Sequence, residues 1–328
     1  MIRSFLYDAQ GRDREIPFAS APPADLAEHH ILWVDVTDQD AGELVRVREL
    51  FGLSSQCMAA LTRSATTFAL DNYAHYFHFN VPAVKRPGPD PKGLPRSAGR
   101  VRLDFVVAAQ WLITVHAEEL DFLRQFREQD KAETMIGALT GPQVAASLLD
   151  WHLEAYMGAL EDVEAFASAL DVRLLGRPRV RESLLSDIVL GRRYVASLRR
   201  LLGPQRSVFY GVSRPDFSQV AGTEAAVHYM ALERRFERTL DAVDHGREVM
   251  QSSFELFTTR TAETTNRLIR RLTFLSVLLG AIAALADILG MNFKPPFAQG
   301  GEAFWAVLAL FGVLTVAGVM IGRIRKWI

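Results

Sequence analysis

Asp287 is the only charged residue in a 19-residue run, 272–290, whose other members are apolar or small. It belongs to a series. Asn266, Thr273, Ser276, Gly280, Ala283 and Asp287 follow one another at spacings of seven, three, four, three and four, so on a helix they share one face. Small side chains let helices approach closely, which is the plain packing explanation of such a stripe. Packing leaves Asp287 unaccounted for. An ionisable group at membrane depth is costly and is placed toward a water-filled path or a partner; three residues from Gly290, it can also sit at the interface. A ring of such carboxylates around a wet axis attracts cations. One hairpin has too few helices to enclose an axis, so several copies must surround it with one repeated interface. The stripe therefore predicts a cation pathway lined by these six positions.

Two segments must carry that stripe. At 1.5 Å per residue, 272–290 rises about 28 Å and 303–322 about 30 Å, the depth of a hydrocarbon core. The second segment holds no charge. Arg267, Arg270 and Arg271 precede the first, whereas Arg323, Arg325 and Lys326 follow the second. The intervening 291–302 contains only Lys294 and Glu302 as charges. By the positive-inside rule both ends of this hairpin are cytoplasmic and the loop is external. Trp305 and Trp327 fall at the two boundaries. The expected location is a bacterial inner membrane, with the second span toward lipid and both termini cytoplasmic.

Composition bounds the remainder. At 328 residues the chain has room for about two domains. With 49% hydrophobic and 23% charged residues it is an ordinary globular composition, which excludes disorder and fibrous repeats. An average hydropathy close to neutral excludes a transporter threaded many times through lipid. The lone Cys57 excludes a disulfide framework and multi-cysteine metal sites, and suits a reducing compartment. A net charge of −1 argues for no nucleic acid partner. The first eight residues predict no signal peptide. Without a Walker loop, dinucleotide fingerprint or nucleophile elbow, no enzyme is expected and no catalytic cofactor.

The pattern divides the chain into an α/β cytoplasmic domain (1–140), a helical hairpin (141–215), a stalk helix (216–271), the first span (272–290), an external loop (291–302), the second span (303–322) and a basic tail (323–328). Strands are expected over 31–36, 73–84 and 101–116, with a loop at 85–100. Thr37 and Asp38 read as the cap of a helix through Leu50. Pro142 opens a helix with Leu148, Leu149, Leu153, Met157, Leu160, Val163 and Leu170 at helical spacing, and a second helix runs from about Val180 to Leu202, ended by Gly203 and Pro204. No proline separates Pro215 from Pro295, so 216–290 reads as one helix of about 110 Å. The mixed charges from Glu233 to Glu248 are those of a solvated or helix-facing surface.

Gly290, Met291 and Asn292 end the first span, and with them the chain resembles the CorA-type two-span GxN family of divalent cation transporters. The segments Trp33-Val34-Asp35-Val36, Leu112-Ile113-Thr114-Val115-His116, Leu202-Gly203-Pro204-Gln205-Arg206 and the basic end Arg323 to Ile328 are similar to family segments in the same order. The resemblance implies a mostly α, funnel-shaped homopentamer around a central pore, with Gly290, Met291 and Asn292 as its outer selectivity mouth. It implies Zn²⁺ or Mg²⁺ as cargo, held hydrated and transiently by Asn292 and Asp287, and an acidic stalk position at Glu255. Ala281, Ala283 and Leu289 depart from positions where relatives carry proline, threonine and an aromatic. The loop after the tripeptide starts its charges with Lys294 and carries Gly300 and Gly301, features more like the ZntB zinc branch, although that branch often has valine at Met291. Zn²⁺ uptake is therefore favoured over a CorA-type Mg²⁺ channel that also passes Co²⁺ or Ni²⁺; a membrane-anchored sensor or scaffold is the alternative outside transport. The histidines add little at this level. His75 and His78 fall on opposite faces of a strand, and His29 with His30, His116, His152, His228 and His245 are isolated in sequence.

Overall fold

The computed structural model describes residues 1–20, 26–37, 41–62, 68–85, 97–129, 134–176, 182–290 and 301–324. They form two compact units, one of Met1–Val172 and Ser183–Ser253, the other of Arg173–Glu182 and Phe254–Ile328.

The first unit is built on seven strands: β1 (Ile2–Asp8), β2 (Arg14–Ile16), β3 (His30–Thr37), β4 (Leu70–Asn72), β5 (Tyr76–Lys85), β6 (Gly99–Ala108) and β7 (Trp111–His116). They lie in the order β2-β1-β3-β7-β6-β5-β4. Only β3 and β7 run parallel; every other neighbouring pair is antiparallel. Ile31 to Val36 are buried without interruption, as a strand covered on both faces requires. Leu32, Val34 and Val36 face α1 (Ala41–Phe51) and α2 (Ser55–Thr62), packing with Leu44, Val47 and Leu61. Trp33 points to the other face, where its ring meets Phe126 of α3 (Asp121–Gln129) at 5.8 Å. Phe79 and Phe105 are directly paired across β5 and β6 and stack at 4.7 Å, a cross-strand contact that fixes their register.

Two expectations about strands need correction. The segment 101–116 is not one strand: the chain reverses at Ala109 and Gln110, and β6 and β7 pair as a hairpin. The turn contains no glycine, proline, asparagine or aspartate, so the usual composition signal is missing. The segment 73–84 is β5 shifted to Tyr76–Lys85, with the short β4 ahead of it. Asp38, the expected cap, and most of the expected loop, 86–96, lie outside the described residues.

Helices complete the unit. α4 (Gly141–Leu175) starts where Pro142 places it; Thr140 donates its backbone N–H to Gln143 Oε1 at 2.8 Å, half of a capping box. Gly141 is there for close approach, since a Cβ would lie 2.0 Å from Ala108 O. α5 (Glu182–Leu202) is followed by a 3₁₀ turn and α6 (Arg206–Ser213). The long helix α7 spans Ala225–Gly290, not 216–290. Turns hydrogen-bonded from Arg214 to Thr223 bury Phe217 and Val220, and Gly222 at φ 76° breaks helical continuity. Its 66 residues rise about 99 Å. The second unit contains the rest of α7 and α8 (Gly301–Ile324).

Gln205 locks the helices to the sheet. Its Oε1 accepts from His152 Nε2 at 2.8 Å, and its Nε2 lies 3.1–3.2 Å from Tyr156 Oη, Leu201 O and Pro82 O. Tyr156 also donates to Pro82 O. Burial pushes His152 down to about 4, with Gln205 opposing only in part, so the ring is neutral and donates. Replacing Gln205 by leucine strands the buried His152 N–H. We expect Gln205→Leu to cost the first unit about 1–3 kcal/mol in a urea titration followed by tryptophan fluorescence; an unchanged midpoint would show that the amide is not a structural tie.

Candidate functional site

An 18-residue window in α7 is long and apolar enough to cross a membrane, and none of it is buried within the chain. Its coverage by α8 is one-sided. Phe274, Leu278 and Ile282 are partly covered, whereas every other position of 271–288 is exposed. On α8 the covered row is Phe311, Thr315, Gly318 and the buried Gly322. The rows meet where a Cβ on Gly318 would lie 2.7 Å from Leu278 Cδ1, the close approach that small residues allow between apolar helices.

The stripe lies on the opposite side. Asn266, Thr273, Ser276, Gly280, Ala283 and Asp287 are all exposed. At about 100° per residue their mean direction is about 190° from that of Phe274, Leu278 and Ile282. A Cβ on Gly280 would meet no atom within 4 Å. Glu255, also exposed, projects within about 30° of the stripe on an ideal helix. Thus the polar positions gather on the side of α7 that α8 leaves open. Chemically this side offers two hydroxyls and one carboxylate along the otherwise apolar span 272–290, with one amide, Asn266, ahead of it. These are oxygen donors suited to a hydrated hard cation. Gly290 is the last residue of α7; Met291 and Asn292 lie outside the described residues.

The family described as CorA-like Mg2+ transporter protein matches residues 28–323. The chain belongs to that family. Among curated relatives, the cobalt/magnesium transport protein CorA of Thermotoga maritima is 25% identical over 183 residues, which is 56% of this chain. The alignment spans about half (51%) of that relative's length. The complete CorA magnesium transporter structure from Methanocaldococcus jannaschii superposes with a TM-score of 0.74 at 17% identity, covering 99% of this chain and 98% of that one. The full-length CmaX protein gives 0.72 at 20% identity over 99% and 97%. The ZntB cytoplasmic domain of Vibrio parahaemolyticus gives 0.60 at 9% identity over 80% of this chain and 99% of that domain. These likenesses establish a CorA-like fold, with an α/β soluble part and a long helix.

Two segments of this CorA-like chain that read as family strands are neighbours in register, Trp33↔Leu112 through Val36↔Val115. Between them lies a buried charge network that the sequence does not announce. Asp35 accepts from Thr114 Oγ1, from His116 Nε2 at 2.8 Å and from Arg127 at 2.6 Å. Trp33 Nε1 donates to Thr114 at 2.9 Å. Burial alone pushes the Asp35 carboxyl upward; His116, Thr114 and Arg127 outweigh it and hold it below the ordinary range. A second network joins β4, β5 and β6. His78 faces Asp104 at 2.9 Å and Asp71 at 3.4 Å, and Arg102 makes two bonds to Asp104. His75 lies outside the strands and is exposed, so it does not fall on the opposite face of a strand from His78 as expected.

Burial pushes His78 down, but the two carboxylates prevail and raise it above its ordinary value. A raised folded value means that the stabilisation is complete below about 6.5 and is lost as pH climbs through the folded value. Asp35 has the opposite sign, stabilising above about 3.9 and losing that contribution as pH falls through its lowered value. We therefore expect the urea midpoint of the wild-type chain to fall from pH 6.5 toward pH 9 more steeply than that of His78→Gln. Parallel slopes would assign the alkaline loss to other groups.

Proposed function

We propose that this chain forms a homo-oligomeric pore, a pentamer, that carries divalent metal cations across the bacterial inner membrane. The observation that carries the reading is the opposition of faces on α7: the stripe ending in Asp287 occupies the side that α8 leaves open. Turned toward a shared axis, each stripe residue becomes a ring, while α8 stands outside against lipid. Gly290 at the end of α7, with Met291 and Asn292 at the start of the loop 291–302, then forms the outer mouth, and both termini are cytoplasmic. Membership in the CorA-like family and the names of the relatives support divalent cation transport as the activity.

The physical logic of the path is weak, repeated holding. Mg²⁺ gives up its water reluctantly, so a ring of Asn292 amides and carbonyls holds it through water ligands. Asp287 adds negative charge one helical turn inside the mouth, which raises the local cation concentration without an acidic loop. Zn²⁺ is the favoured cargo, on the strength of the loop whose first charge is Lys294 and of the Pro204-Gln205-Arg206 turn. Mg²⁺ is the alternative, favoured by Met291 and by the relatives' names. Neither reading needs a bond-making step, and the chain is proposed to be a transporter and not an enzyme.

Proteoliposomes loaded with Zn²⁺-sensitive or Mg²⁺-sensitive dye test the proposal. We expect uptake of at least one ion, reduced tenfold or more by Asn292→Ala and by Asp287→Asn in protein that retains its wild-type assembly size. Absence of flux for both ions, or a monomer or dimer whose flux ignores both substitutions, would leave the hairpin as a mere anchor.

A further inference from the structure

The end of β1 meets the beginning of β3, and three metal-ligating side chains converge there. Asp8 and His30 are register partners in the antiparallel pair, and His29 is the preceding residue. His29 Nε2 lies 3.5 Å from Asp8 Oδ1, and His30 Nε2 lies 3.4 Å from Asp8 Oδ2. One ligand atom from each of the three lies within 4.8 Å of the others. The rings of His29 and His30 are 4.4 Å apart at 61°. Both imidazoles are thus directed at one carboxylate, each at a different oxygen.

These separations are long for hydrogen bonds, which centre near 2.9–3.0 Å. Each nitrogen–oxygen separation is close to the edge of a coordination tetrahedron, about 3.3 Å when the bonds are 2.0–2.1 Å, and one ligand atom from each of the three residues lies within 4.8 Å of the others. The backbone holds the carboxylate in place from behind. Gln10 N–H donates to Asp8 Oδ1 at 2.9 Å, and Asp8 N–H donates to Asp13 Oδ1 at 2.8 Å. Asp13 is in turn tied by Thr134, whose N–H and hydroxyl both donate to its Oδ2. Ala9 N–H donates to His29 O at 3.1 Å, pinning the histidine segment to the same strand end. A Cβ on Gly11 would stand 2.3 Å from Asp8 Oδ2, so glycine keeps that side of the carboxylate clear. The three side chains are 21–34% exposed, open enough for an ion to enter and for water to complete its coordination.

We propose that Asp8, His29 and His30 form a binding site for a divalent transition metal of the Zn²⁺, Co²⁺ or Ni²⁺ class in the first unit. Two imidazoles and one carboxylate select such ions. Mg²⁺ requires oxygen ligands in a tight octahedron and has no use for two ring nitrogens. The site is separate from the stripe on α7, which supplies oxygen atoms only and belongs to the second unit. Its occupancy is set by the transition-metal level and not by the ion that the pore carries.

Co²⁺ is a suitable probe because nitrogen ligation in a four-coordinate site gives it intense visible absorption. The full-length protein in detergent, stripped with chelator and kept in millimolar Mg²⁺ to occupy oxygen-ligand sites, is titrated with Co²⁺ and then with Zn²⁺. We expect one Co²⁺ per chain with that spectrum, displaced by Zn²⁺. His29→Gln and Asp8→Asn should each weaken it at least tenfold; His29 precedes the strand, so its variant keeps the β1–β3 ladder, which an unchanged circular dichroism spectrum verifies. No Co²⁺ absorption in excess Mg²⁺, or a spectrum and affinity unchanged in both folded variants, overturns the assignment. Ion flux through the pore is read separately and decides neither result.

Discussion

One helix has to satisfy two solvents, and the rest of the structure is arranged around that demand. The part of α7 up to Ser253 belongs to the first unit and buries Tyr229, Leu232, Phe236, Leu240, Val243 and Met250 there. Further along, Leu272, Leu275, Val277, Leu279 and Ile288 are at least half exposed. At about 25 cal/mol for each Å² of apolar surface, such a row is not left in water. The single α8 covers only the row through Leu278. The remaining apolar positions require lipid or other copies. In the proposed assembly the apolar flank of α7 faces lipid and the polar stripe faces the shared axis, which would meet the demands of both kinds of side chain on one helix.

Polar groups inside the first unit are arranged by a related logic. Burying Asp35 is unfavourable unless its oxygens are bonded, and Thr114, His116 and Arg127 do that from two different elements. The network also discriminates between registers. A slip of one residue between β3 and β7 would turn Asp35 into the cluster of Val34, Val47 and Ile113, where no partner waits. The same holds for Gln205, whose four contacts depend on α4, the 3₁₀ turn and β5 meeting at one point. These groups add less to net stability than their bond count suggests, but each makes alternative packings expensive.

What the sequence discloses follows from how local each signal is. The two apolar runs, the β3 core segment, Pro142 at a helix start and the stop after Leu202 are read within a window of a few residues, and they stand where they are expected. β1 escaped notice because Arg3 and Ser4 interrupt its alternation, and the β6–β7 hairpin because its turn uses Ala109 and Gln110. The late start of α7 depends on Phe217 and Val220 finding a buried place, which no helix propensity encodes. Within the site, the stripe was legible because helical spacing suffices to define a face. The contact of Gly318 with Leu278 is not legible, since it depends on how two segments forty residues apart pack. The histidines were least legible of all. His78 gains Asp71 and Asp104, and His29 and His30 gain Asp8, only through strand pairing, at separations from 7 residues for Asp71 to 26 for Asp104.

The two places where a metal is proposed to bind differ in donor chemistry, and the difference has a consequence. Along a conducting path an ion must leave as readily as it enters, so each contact has to be weak and replaceable by water. Amide, hydroxyl and carboxylate oxygens around a hydrated ion provide that; paired imidazoles would retain a transition metal. Imidazoles belong instead where occupancy, not passage, is the output. At the joint of β1 and β3 a bound ion stabilises whichever arrangement holds Asp8, His29 and His30 together, by an amount set by its concentration relative to its Kd. Such a ligand influences the helix that carries the stripe only to the extent that the sheet has a second arrangement that binds the ion less well. Retention in the first unit and passage along α7, both proposed here, are therefore best built from different atoms, and the donor sets of the two places differ in that way.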